Sequence, residues 1–175
     1  MSVIIVCPLH EIEEVVRARS ASHLLTLIDP ATIPETPKSI LAGRHLKLGV
    51  NDITEVIDGL VCPDETTVEA VLAFGRTWDE SQPLVVHCWA GISRSTAAAF
   101  MIACERNPEA SEHDIARTIR HASPTAYPNR RLVALADDAL GRGGRMVEAV
   151  RAMGPPDFGD SGEQMGRAFD IPARF

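Results

Sequence analysis

The 175-residue chain is expected to fold as an α/β domain, a mostly parallel central sheet flanked by helices on both faces. Three features of the sequence lead there. Short aliphatic runs at residues 2–6, 23–28 and 84–86 alternate along the chain with segments of helical periodicity. Leu84, Val85 and Val86 are apolar in succession, as in a strand covered on both sides. Hydrophobic residues make up 45% of the chain, enough to bury one core of ordinary domain size.

Residues 2–6 (SVIIV) give the first strand. Leu9, Ile12, Val15 and Val16 then recur at helical spacing, with Glu11, Glu13 and Glu14 on the opposite side, so a helix follows. Residues 23–28 (HLLTLI) form a second strand, halted by Asp29-Pro30. Pro30, Pro34, Pro37 and Gly43 make residues 30–44 a loop. Leu46, Leu48 and Val50 alternate in a third strand over residues 45–50, which delivers the chain to Asn51-Asp52. Thr66 and Glu69 have capping-box spacing ahead of a helix bearing Val68, Val71, Leu72 and Trp78. After the strand at 84–86, residues 95–104 (STAAAFMIAC) are apolar on nearly every side and belong in a central helix that ends at Asn107-Pro108. Ser111 with Asp114 opens a helix carrying Ile115 and Ile119. Asn129 is placed to cap another over 130–140, with Gly141 as its stop. Met146, Val147, Val150 and Met153 mark one more. Residues 1–153 are thus expected to be a single domain. The tail, 154–175, is rich in glycine and proline but holds three of the five phenylalanines, Phe158, Phe169 and Phe175, and is expected to pack on the domain or on a partner.

Charge restricts the partners. Seventeen basic against 24 acidic side chains leave a net charge of −7, which argues against a surface that tracks nucleic-acid phosphates. No apolar run reaches the roughly 18 residues of a membrane-spanning helix, and no basic segment followed by an apolar one opens the chain. Neither nucleic acid nor membrane is an expected partner. Cys7, Cys62, Cys88 and Cys104 include no Cys-x-x-Cys pair and are too sparse for a disulfide scaffold, so reduced thiols in the cytoplasm are expected. The histidines show no metal-ligand spacing, and no metal is called for.

Between the buried strand and the buried helix lies His87-Cys88-Trp89-Ala90-Gly91-Ile92-Ser93-Arg94-Ser95. A loop that leaves a strand and enters a helix turns successive backbone N–H groups, and the helix N-terminus, toward one point. Such a nest suits a tetrahedral oxyanion. Gly91 lets the backbone come close without a Cβ in the way. Arg94, in the first helical turn, can fork two donors onto one anion. Cys88 sits at the base of the nest, where the positive field favours a thiolate, and a thiolate aimed at bound phosphorus attacks a phosphate ester. Trp89 is equally placed to rim the pocket or to pack inward.

The segment resembles His-Cys-x-x-Gly-x-x-Arg-Ser/Thr, the signature of cysteine-dependent protein tyrosine phosphatases, and the sequence looks most like their compact dual-specificity branch. The resemblance spans residues 44–140 and implies a phosphatase-like fold and phosphomonoester hydrolysis through a cysteinyl-phosphate, with no cofactor. It assigns Cys88 as nucleophile and the backbone of Trp89, Ala90, Gly91, Ile92, Ser93 and Arg94 as the phosphate cradle. Asp52 becomes the general acid, with Asp58 its rival; Ser95 assists departure of the sulfur. His87 supports the loop, unless it is simply a satisfied buried histidine. Tyr127-Pro128-Asn129 resembles the segment that braces the loop in this family, although Asn129 as a plain helix cap accounts for it equally well. Cys62 or Cys7 is a candidate for a reversible disulfide with Cys88. Phosphotyrosine protein, phosphoserine protein and a small phosphorylated metabolite remain open as substrates, as does the oligomeric state. Sulfur transfer, arsenate reduction and phosphate binding without turnover are the alternative uses of the same loop.

Overall fold

The computed structural model of the protein describes residues 2–161 and 165–175. Its sheet has the order β3-β2-β4-β1-β5, built from β1 (Val3–Pro8), β2 (His23–Ile28), β3 (His45–Gly49), β4 (Leu84–Cys88) and β5 (Phe169–Pro172). The first four strands are parallel; β5 runs antiparallel against β1, with Ile4 opposite Ile171. Strand β4 thus inserts between β1 and β2, and every parallel strand ends at the same edge.

Side-chain alternation splits the core into two layers. Ile4, Val6, Leu25, Leu27, Leu84 and Val86 face the larger one. There α3 (Arg94–Arg106) lies on the sheet, with α2 (Glu65–Thr77), α4 (Glu112–Ala122) and α5 (Arg130–Ala139) packed around it and α6 (Arg145–Ala152) against α4 and α5. This encirclement explains why residues 97–104 are apolar all round: each is fully buried. Ile5, Cys7, Leu24 and Val85 face the smaller layer, closed by Ile12, Val15 and Val16 of α1 (Ile12–Ala18). Helices therefore cover both faces, unequally. Among the described residues no helix is long and apolar enough to cross a membrane.

Two local expectations are corrected. The first strand extends to Pro8, and the chain turns through a short 3-10 segment before α1. The capping box of α2 is Asp64 with Thr67, not Thr66 with Glu69: the Asp64 carboxylate accepts from the Thr67 amide at 2.9 Å, and Thr67 Oγ1 accepts from the Asp64 amide at 3.3 Å. A carboxylate following Pro63 outcompetes the Thr66 hydroxyl because its charge also meets the positive helix end, and Thr66 donates to the same oxygen. Strand β5, in the tail, was not anticipated; residues 162–164 of that tail lie outside the described residues.

Candidate active site

Residues 87–95 join the carboxyl end of β4 to the first turn of α3, at the edge where ligands collect in open α/β sheets. The loop carbonyls are held from outside. Cys88 O accepts from His87 Nδ1 at 3.3 Å and Trp89 O from the Leu9 amide at 3.1 Å. Ala90 O accepts from Gly166 N–H at 2.8 Å, Ile92 O from Tyr127 N–H at 2.8 Å and Ser93 O from Asn129 N–H at 3.2 Å. In a trans peptide the N–H points opposite to its carbonyl, and no cis bond occurs among the described residues. Pinning these carbonyls outward therefore turns the amides of Trp89, Ala90, Gly91, Ser93 and Arg94 inward. That is the cradle.

Arg94 begins α3 and is only 6% exposed. Its Nη1 donates to Val50 O at 2.7 Å, while the buried Nε has no partner among the described residues. A buried guanidinium N–H left unmatched is costly, and an oxyanion in the cradle is the partner that suits it. Cys88, 2% exposed, places Sγ 3.1 Å from Ser95 Oγ.

Asp52 follows the end of β3, and one of its oxygens accepts from Ser93 Oγ at 2.7 Å and from Asn129 Nδ2 at 2.9 Å. Asn51 closes this segment into a lasso by exchanging hydrogen bonds with the Val61 backbone. Asp52 and Asp58 are both exposed, but Asp52 is hydrogen-bonded to Ser93 of the loop. Asn129 combines both readings made of it. Its Oδ1 caps α5 through the Arg131 and Leu132 amides, and its Nδ2 holds Asp52. Next to Ser93 and Asn129 opens a cleft of about 620 Å³, walled by Asp52, Ile57, Tyr127, Arg130 and Phe158; Cys88 and Arg94 are not part of its wall.

The sequence matches no family model and no curated protein. Solved structures do match. DUSP15 superposes with a TM-score of 0.65 at 17% identity, over 92% of this chain and 96% of that one. The human tyrosine phosphatase-like serine/threonine/tyrosine-interacting protein gives 0.61 at 16% identity, over 80% and 92%. PTPMT1 in complex with PI(5)P gives 0.58 at 14% identity, over 86% and 91%. The chain has the protein tyrosine phosphatase fold.

Within that fold several details run against, or beyond, what the sequence suggested. Gly91 adopts φ +70°, and a Cβ there would meet Pro8 N at 2.8 Å and Cys7 C at 2.9 Å. The close approach that demands glycine is to the end of β1, on the outside of the loop. Gly166 does the same from the tail: a Cβ would lie 2.9 Å from Ala90 O. Trp89 is 51% exposed and stands at the rim. Cys7 is buried on the α1 face with Ile5, and on the neighbouring strand Cys88 stands one residue out of register with it. Burial, with smaller contributions from Glu11 and Cys88, pushes the Cys7 thiol up, and all four cysteines are free.

His87 is completely buried, and desolvation pushes it down to about 4, against a smaller opposing contribution from its hydrogen bond to the Cys88 carbonyl. Below the ordinary histidine range near 6.5 the unfolded chain binds a proton that the folded ring refuses. Stability is then fully present above about 6.5 and is lost as pH falls toward about 4, by up to about 3 kcal/mol for this ring. Urea denaturation at pH 7 and pH 4.5 is expected to show that loss. In His87→Asn the pH slope should shrink by the equivalent of one proton; an unchanged slope contradicts the assignment.

Proposed function

We propose that the protein is a phosphomonoester hydrolase of the protein tyrosine or dual-specificity type. The observation that carries this is the cradle: outward-pinned carbonyls, an Arg94 Nε still in need of a partner, and the Cys88 sulfur at the base. The Cys88 thiolate attacks phosphorus as the ester P–O bond breaks. Amides of the loop and Arg94 stabilise charge on the three equatorial oxygens. Protonated Asp52 gives its proton to the leaving oxygen, so an alcohol or phenol departs and a cysteinyl-phosphate remains. Water then attacks that phosphorus, Asp52 takes the water's proton, the P–S bond breaks, and inorganic phosphate leaves. Ser95 Oγ donates to the departing sulfur, which its 3.1 Å separation suits.

The ligand in the PTPMT1 structure is a phosphoinositide, PI(5)P. For this chain the net charge of −7 and Glu55 in the cleft wall favour less anionic substrates, a phosphorylated protein or a small phosphoester. Four free cysteines fit a reducing cytoplasm.

Purified protein is expected to hydrolyse both phenyl phosphate and p-nitrophenyl phosphate. Asp52→Asn retains an oxygen for Ser93 and Asn129 but has no proton to give. It should slow phenyl phosphate turnover roughly a hundredfold, and p-nitrophenyl phosphate less, because nitrophenoxide leaves with little protonation. A variant as fast as the wild type on both would favour sulfur transfer or arsenate reduction, which need no upstream acid. A wild-type protein that binds phosphate and turns over neither ester would be a binding module.

A further inference from the structure

Thr26, His45 and His87 stand on β2, β3 and β4, three strands adjacent in the order β3-β2-β4. Leu25, Leu27, Leu46, Leu48 and Val86 point to the larger core, so alternation sends Thr26, His45 and His87 to the α1 face together. Register sets Thr26 beside His87, with His45 one diagonal step away, opposite Leu24. The three side chains join in one line of hydrogen bonds that begins at Thr36, in the loop between β2 and β3. Thr36 Oγ1 lies 2.9 Å from His45 Nδ1, and His45 Nε2 lies 2.7 Å from Thr26 Oγ1. Thr26 Oγ1 lies 2.6 Å from His87 Nε2, and His87 Nδ1 reaches Cys88 O at 3.3 Å.

The direction of that line follows from its last member. A carbonyl only accepts, so His87 Nδ1 carries the hydrogen. Burial keeps His87 and His45 neutral, each pushed down to about 4, with Lys47 adding to the effect at His45. A neutral His87 then accepts at Nε2, which uses the one hydroxyl hydrogen of Thr26. Thr26 in turn accepts from His45 Nε2–H, and His45 Nδ1 accepts from Thr36. With both rings neutral, no other arrangement satisfies all four contacts.

We propose that Thr26 and His45 are positioning residues for the nucleophile: they hold His87 in its Nδ1–H tautomer, with that N–H on the Cys88 carbonyl. The catalytic consequence rests on the phosphatase reading; the tautomers do not. The other tautomer would set a ring lone pair against a carbonyl lone pair and release the Cys88 peptide, whose far side is the first amide of the cradle. The relay acts through His87 and touches no substrate.

Long-range ¹H–¹⁵N spectra of the ¹⁵N-labelled protein at pH 7 are expected to show His87 protonated at Nδ1 and His45 at Nε2. The opposite tautomer at either ring overturns the relay. Thr26→Val keeps the shape and strand preference but removes the hydroxyl. It should lower kcat on p-nitrophenyl phosphate roughly tenfold with KM little changed, because the other amides and Arg94 still bind the anion. Thr26→Ser restores the hydroxyl and should bring kcat back to within about twofold of the wild type. A valine variant with wild-type kcat, or a serine variant no better than valine, overturns the positioning role. A wild-type protein that hydrolyses no phosphoester overturns the phosphatase reading instead, and the wild-type spectra still decide whether the relay exists.

Discussion

Cys88→Ser is expected to abolish turnover of aryl phosphates, by roughly four orders of magnitude or more, while the protein stays folded and still binds inorganic phosphate. The change replaces one sulfur by oxygen at a site 2% exposed, and the Ser95 hydroxyl 3.1 Å from the sulfur remains as a hydrogen-bond partner. No buried polar atom is orphaned. On the proposed reading anion affinity comes from the inward amides and Arg94, whose recorded hydrogen bonds do not involve the Cys88 side chain. On the proposed mechanism what disappears is the nucleophile, since a serine hydroxyl does not ionise at neutral pH and the contact recorded for Cys88 Sγ among the described residues is the Ser95 hydroxyl, not a base. Initial rates on p-nitrophenyl phosphate measure the first half of this expectation; the rise in melting temperature with added phosphate measures the second. Retention of more than about one per cent of wild-type turnover would remove Cys88 from the mechanism. Loss of phosphate binding along with turnover would mean that the sulfur, and not the cradle, holds the anion.

Arg94→Lys should cost about a thousandfold in kcat/KM, or about 4 kcal/mol of transition-state stabilisation, despite conserving the charge. The guanidinium spans two tasks: Nη1 donates to Val50 O at 2.7 Å, and Nε has a hydrogen to offer elsewhere. An ammonium is a compact point charge and cannot present a planar fork to both. Losing the Val50 contact should also loosen the segment that leads through Asn51 to Asp52, so on the proposed mechanism both acid catalysis and charge stabilisation suffer. The penalty should therefore exceed that of Asp52→Asn. Its signature is a drop in kcat as well as a rise in KM; a rise in KM alone would reduce Arg94 to an anchor for ground-state binding.

The signature loop was legible because everything it needs is contiguous. A buried strand, a glycine, an arginine in the first turn and an apolar helix follow one another within residues 84–104, and a local pattern suffices to predict a local nest. The position of Asp52 was legible for a related reason: it stands just beyond the end of β3, at the sheet edge that bears the loop. The α2 cap was misplaced because Asp64 and Thr66 both satisfy the same local rule, and their competition for one helix end turns on charge and chain entry. Strand β5 gave little signal: Phe169, Asp170, Ile171 and Pro172 make a short edge strand that pairs on one side only, so its pattern is faint.

From its own residues the chain determined the alternation of strands and helices, the apolar character of α3 and the strand–loop–helix turn between β4 and α3, because propensity, periodicity and a nest depend on near neighbours. Tertiary structure alone decided which distant atoms close the site: Val50 O on Arg94, Gly166 on Ala90, Asn129 on Asp52, and Thr26 between two histidines. Those contacts require β4 to slot between β1 and β2 in a particular register, and register is a property of packed strands that no single segment carries.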